Sequence, residues 1–293
     1  MSEKKRFIYT TLKLCSLFIF LISLFVLNLI LPLTRDSDIL ATFGLTPYSF
    51  RLSMLFYPIV IISSILIIIK KRKQIKHIDI IIGLILAISA SFHRRDSILF
   101  LATSLPYIAS MSIFNSSEIK MILFKRISRK AFVIIASILI VSLVASLLHH
   151  YGALRVSSAF IRTLAPGIME EIVFRMFLFS IAVWIIEGHT GIYTHNKLVI
   201  YLIMIIPFVI YHHPDILVED GFRSFISVAI SMFPIATIMT LFAVKRDLAS
   251  AVVIHIVYNF IIFIGIENPI ENIWQHNVPS LLQLLYAIVR FGA

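Results

Sequence analysis

The chain is built from apolar runs of about 15 to 25 residues, separated by short charged clusters. That length matches what a helix needs to cross a hydrocarbon core about 30 Å thick. Hydrophobic residues make up 59% of the sequence and charged residues only 14%, with a mean hydropathy of +0.98. Soluble domains carry about 25% charged residues, so this composition belongs to an integral membrane protein. A membrane barrel would alternate apolar and polar residues over about ten positions. No such period is present, and the expected fold is an all-α, polytopic helical membrane protein.

Nine candidate spans follow: 11–33, 50–69, 78–92, 97–114, 131–149, 163–187, 197–212, 222–244 and 248–266. The third, fourth and seventh are short, which puts the expected number of crossings at about eight to nine. The stretch from Val278 to Arg290 reads as an interfacial helix or a short tenth segment. Lys4, Lys5 and Arg6 precede the first apolar run as in a signal peptide. That run is long for one and lacks an A-x-A-like site, so a retained anchor is expected. Cys15 is the single cysteine, so the chain has no internal disulfide and no cysteine metal site.

The net charge of +11 does not indicate a nucleic-acid partner, because the basic residues lie in loops flanking the membrane with no soluble domain to form a groove. They orient the chain instead. Lysine-rich clusters, such as Lys70 to Lys76 and Lys120 to Lys130, alternate along the sequence with connections holding isolated arginines, among them Arg35, Arg94 and Arg223. The positive-inside rule places the amino terminus in the cytoplasm.

Three polar clusters interrupt the later spans. An ionisable side chain in hydrocarbon costs about 2.5 to 3.5 kcal/mol even on lenient scales, so a converging set marks a reaction centre or an ion path. In the first cluster, Pro166 and Gly167 precede Glu170, consistent with a helix starting afresh near Pro166. The two acids Glu170 and Glu171 then fall in its first turns, where the dipole favours negative charge. Glu171 and Arg175 are spaced to pair along one face. Adjacent helical positions point about 100° apart, so Glu170 is expected to face elsewhere. A structural ion pair with a spare acid is the plainer reading of this cluster.

The second cluster is Phe208 with His212, four residues apart beside Pro207, whose missing N–H can bend the helix. His212 alone could equally be an ordinary hydrogen-bonded core histidine. The third is His255 with Asn259, again four apart and facing one way, for which polar helix-to-helix glue is the alternative.

In order, the clusters read E-E-x-x-x-R, F-x-x-x-H and H-x-x-x-N on three different spans. This pattern resembles the CPBP family of intramembrane glutamic proteases, also called Abi. The family includes type II CAAX prenyl endopeptidases together with bacterial peptide-processing and bacteriocin self-immunity proteins. The resemblance covers roughly Thr163 to Ile266 and divides the chain into N-terminal membrane helices without a motif, 1–150, and a catalytic membrane core, 151–293.

The resemblance implies an endopeptidase that needs no metal or other cofactor and acts on peptides or protein tails near the membrane, with the active site between the later helices. Glu170 would be the general base, with His212 helping to hold the attacking water. His255 and Asn259 would stabilise the oxyanion, and Glu171, Arg175 and Phe208 would support the site. A carboxylate withdrawn from water is a better base, and donors already aimed at an oxyanion are worth about 3 to 4 kcal/mol.

There is no H-E-x-x-H and no serine elbow. Glu170, His212 and His255 could in principle hold zinc, a reading the resemblance opposes. Two other classes use the same residues: a transporter relaying protons through the buried Glu, His and Arg, and a non-catalytic immunity or scaffold protein. The expected location is the bacterial cytoplasmic membrane. Neither the substrate nor the oligomeric state is legible in the sequence.

Overall fold

In the computed structural model, the described residues are 3–30, 47–91, 97–124, 163–212 and 221–266. Every regular element among them is helical, as hydrocarbon requires of backbone groups that can find no water. The helices are α1 (Glu3–Ile30), α2 (Pro47–Lys71), α3 (His77–Ser91) and α4 (Ser97–Asn115), followed by α5, then α6 (Thr190–His212), α7 (Gly221–Lys245) and α8 (Leu248–Ile266). Helix α5 is composite: α-helical over 163–170, a π-helix over Glu171–Phe177, and α-helical again over Leu178–Ile185. Four stretches among the described residues are long and apolar enough to cross a membrane: Lys5–Leu27, Ile98–Asn115, Thr190–Tyr211 and Gly221–Lys245. The candidate span 131–149 and the tail 278–290 lie outside the described residues.

Proline sits inside α2, α4, α6 and α7 at Pro58, Pro106, Pro207 and Pro234. Membrane helices tolerate such breaks because nearby hydroxyls re-satisfy freed backbone groups. Beside two of these prolines a hydroxyl back-bonds to the carbonyl four residues earlier, Ser110 Oγ to Pro106 at 2.6 Å and Thr237 Oγ1 to Phe233 at 2.8 Å, though neither carbonyl is the one its proline frees.

One end of the bundle is tied together by polar contacts. Lys71 Nζ donates to Ser116 Oγ at 3.1 Å, and Asn115 Nδ2 donates to both Asp79 Oδ2 and the Gln74 carbonyl at 2.9 Å. Lys70 Nζ lies over the Trp184 ring, 4.9 Å from its centroid. Arg6 pairs with Glu187 and contacts His189. The turn after α5 carries positive φ at Glu187 (54°) and Gly188 (71°), and a Cβ at Gly188 would stand 2.5 Å from Ser117 Oγ, so only glycine fits there. Helix α8 starts at this end too: Asp247 Oδ1 accepts the Ser250 N–H as an N-cap at 2.6 Å. The N–H groups of Leu248 and Ala249 donate to the Ile122 and Leu123 carbonyls at 2.9 and 3.0 Å. The start of α1, the ends of α2, α4 and α5, and the starts of α3, α6 and α8 are therefore neighbours.

The apolar core runs without a break through both halves of the chain. Phe56 of α2 stacks on Phe174 of α5 with centroids 5.2 Å apart, and lies 4.6 Å from the Tyr211 ring of α6. Ser180 of α5 donates to Ser110 of α4 at 3.1 Å. The motif-free helices of 1–150 thus wall the elements that carry the motifs.

Candidate active site

Gly167 sets the spacing of the site. A Cβ built on it would meet Ile256 Cγ1 at 2.4 Å and the Ile256 backbone N at 3.3 Å. The absent side chain lets α5 lie almost on the backbone of α8, one residue from His255. Pro166 lies within the helical stretch that the described residues show from Thr163 onward. The acids follow directly.

His255, 1% exposed, receives both of them. Its Nδ1 hydrogen-bonds Glu171 Oε1 at 2.8 Å, and its Nε2 stands 3.7 Å from Glu170 Oε2. The expected 100° separation therefore does not keep the two carboxylates from a common partner. The two ring nitrogens of an imidazole lie on different edges, so diverging acids can reach both. The helix also changes to the wider π winding at Glu171, a departure frequent at functional sites.

Glu171 also pairs with Arg175 as the spacing predicts, with Oε1 and Nη1 3.0 Å apart and both side chains fully buried. That distance is an ion pair, but its angle falls short of a hydrogen bond. The guanidinium is held on its flat side by Phe208, whose ring centroid lies 3.7 Å from Arg175 Cζ. A desolvated contact of this kind is worth about 2 kcal/mol. The Phe208 ring meets His255 edge-on at 5.7 Å and Phe174 edge-on at 5.6 Å. Three helices thus fix one cluster: Glu170, Glu171 and Arg175 from α5, Phe208 from α6, and His255 from α8.

Burial separates the two acids. Glu171 is fully enclosed, whereas Glu170 keeps 16% of its side chain accessible. From Glu171 through Ser180 every residue of α5 is buried, as are Gly167 to Met169, and the Glu170 Oε2 that faces His255 is itself enclosed. Asn259, 8% exposed, lies one turn beyond His255 on α8. His212 is the last residue of α6, one turn past Phe208, and its side chain lies outside the described residues. The zinc reading, which needs His212, lies there with it. Among the described residues no three His, Cys, Asp or Glu side chains are grouped to hold a metal.

Sequence reasoning missed Gly167 as a contact and the aromatic wall of Phe56 and Phe174. A glycine within one turn of a buried acid pair was the available signal for the first. Nothing distinguished the phenylalanines, which number 24 in this chain.

Residues 152–261 match the family model for the type II CAAX prenyl endopeptidase, Rce1-like. This part of the chain is similar to that family. The match spans less than half of the sequence and contains all three motifs, in accord with the resemblance those motifs carry. No curated protein and no solved structure matches the chain. Its long apolar helices, together with a match to a membrane protease family, make this an integral membrane protein.

Proposed function

We propose that the protein is a metal-independent intramembrane endopeptidase of the bacterial cytoplasmic membrane, cleaving peptides or protein tails at the membrane with Glu170 as general base. The observation that carries this reading is the division of labour between adjacent acids. Glu171 is committed to Arg175 and His255, while Glu170 is the accessible acid and faces His255 Nε2 at 3.7 Å. That separation is too long for a direct hydrogen bond, and since Oε2 is enclosed as it stands, the attacking water enters between the two groups only as they part to admit substrate.

In the reaction, Glu170 takes a proton from this water as it attacks the scissile carbonyl, with His212 helping to hold the water. The carbonyl oxygen becomes an oxyanion, which His255 and Asn259 stabilise. Glu171 fixes the imidazole through Nδ1, which leaves Nε2 as the edge toward the reaction, and donation to the oxyanion from that edge requires an N–H on Nε2 as well. As the tetrahedral intermediate collapses, the C–N bond breaks and the proton passes from Glu170 to the leaving amine. Arg175 holds Glu171 in place, and Phe208 keeps Arg175 flat against it. The chemistry is assigned to 151–293, with the helices of 1–150 forming the wall behind it.

The test is incubation of the detergent-purified protein with a library of membrane-anchored peptides, alongside Glu170→Gln. Cleavage by the wild type and a loss of at least about a hundredfold in the variant, the low end for a general base, is expected. Equal turnover in the two would overturn the mechanism.

A further inference from the structure

Five cations stand within seven residues where α2 ends and α3 begins: Lys70, Lys71, Arg72, Lys73 and Lys76. Orienting the chain needs only an excess of positive charge on one side, and places no demand on how that charge is arranged. Here the arrangement is fixed. Lys70 Nζ lies over the Trp184 ring of α5, and Lys71 Nζ donates to Ser116 Oγ just past α4. The 3₁₀ turn that follows, Arg72–Gln74, is pinned by Asn115 Nδ2, which donates to the Gln74 carbonyl, while Ile75 packs half-buried against the core. Arg72, Lys73 and Lys76 are left exposed on this fixed turn.

No acid neutralises the cluster. Among the described residues none of the five cations forms an ion pair. Asp79 is buried and already accepts the Lys76 N–H and Asn115 Nδ2, and Glu118, two residues past Ser116, pairs with none of them. Like charges this close repel one another, and an anion seated among them relieves that repulsion. Space for one is present, because residues Ile69 to Gln74 line an open recess of about 570 Å³. The apolar wall of the recess narrows the choice of anion. Ile69 ends an exposed stripe on α2, Ile62, Ile65, Leu66 and Ile69, whose i, i+3, i+4, i+7 spacing puts all four on one helix face. An acyl chain laid on that stripe carries its headgroup phosphate into the recess, whereas a free phosphate would leave the stripe unused.

We infer that the α2–α3 turn is a binding site for an anionic phospholipid, with the phosphate held by Arg72 and Lys73 in front of Lys70 and Lys71, and an acyl chain along Ile62, Ile65, Leu66 and Ile69. Lys76 adds to the same field. Basic side chains at a membrane boundary reach the headgroup level on their long stems, and clusters of four or more next to a membrane helix recognise anionic lipid. Since Lys70 leans on α5 and Lys71 on the end of α4, the bound headgroup joins three helices at the tied end.

Trp184 supplies the reporter, since it lies under Lys70 and is one of only two tryptophans. The full chain carrying Trp274→Phe is purified and reconstituted in phosphatidylcholine vesicles with rising shares of phosphatidylglycerol brominated close to the headgroup, which quenches tryptophan on contact. Half-maximal quenching is expected at a share at least about fivefold below that needed with brominated phosphatidylcholine, since each basic residue near an anionic surface strengthens association about fivefold. Arg72→Gln with Lys73→Gln should raise the required share by about five- to twentyfold on the same scale. If that pair does not fold, Lys73→Gln alone replaces it. Lys13→Gln with Lys197→Gln removes two exposed charges from α1 and α6 instead, and should leave the curve where it was. Equal quenching by the two lipids, or an equal loss in the Lys13 and Lys197 variant, would overturn the site in favour of bulk lipid contact or general surface charge. Inorganic phosphate that abolishes quenching where sodium chloride of equal ionic strength does not would make the ligand a soluble phosphate, and overturns the lipid assignment.

Discussion

A single methyl group at Gly167 is expected to pull the site apart. In Gly167→Ala the new Cβ meets Ile256 Cγ1 at 2.4 Å, against an ordinary carbon contact of about 3.5 to 4.0 Å. About 1 Å must come from somewhere, and the Ile256 backbone N and Cα, at 3.3 and 3.4 Å, leave little slack behind the side chain. If α5 and α8 separate by that amount, Glu170 and Glu171 withdraw from His255. A misplacement of about 1 Å costs on the order of a hundredfold in rate, and overpacking costs about 1 to 3 kcal/mol of stability. The assay is initial rate on a peptide that the wild type cleaves, paired with thermal unfolding in the same detergent. Adding Ile256→Ala removes Cγ1 and leaves only the milder backbone contacts, so the double variant should recover at least about tenfold of the lost rate, as coupled neighbours do. Wild-type rate in Gly167→Ala would refute the close approach as the device that sets the site. So would a double variant no faster than the single one.

Four further outcomes follow from the same geometry. Arg175→Met should cost about 3 kcal/mol, the low end for breaking a buried ion pair, because Glu171 loses its cation and keeps only His255, and unfolding at wild-type temperature would refute this. Glu171→Gln should lower folded yield more than it lowers the rate of the protein that does fold; the reverse, measured by size-exclusion yield and specific activity, would give Glu171 a direct part in the chemistry. Cleavage should persist in strong chelators and not rise with added zinc, whereas loss with chelator and recovery with zinc would restore the two-His, one-Glu metal reading. Reconstituted liposomes should show peptide cleavage and no proton-driven flux sensitive to Glu170 or His212; robust flux without cleavage would favour the transporter class.

Much of the fold was legible because hydrocarbon admits few solutions. Helices occupy eight of the nine stretches marked by hydropathy, the ninth lying outside the described residues. Hydropathy marks where lipid is, not where a helix ends. Helix α1 therefore takes in the charged residues from Glu3 onward, and α6 begins at Thr190, a full two turns before the apolar run that identifies it. The Glu171–Arg175 pair was legible because i, i+4 contacts are local. The meeting of both acids at His255 was not, since it depends on a tertiary contact through Gly167 and on a π winding for which the sequence held no sign. Phe208 was legible only through its place in a motif. Its seat on the Arg175 guanidinium requires α6 to lie across α5.

The most direct measurement of the central claim is mass spectrometry of the products formed by purified protein from membrane-anchored peptides, with wild type and Glu170→Gln matched for folded yield. Defined cleavage products from the wild type, and at least about a hundredfold less from the variant, are expected of a general base. Equal product from both would contradict the role of Glu170, and no cleavage of any peptide by well-folded wild-type protein would contradict the endopeptidase reading itself.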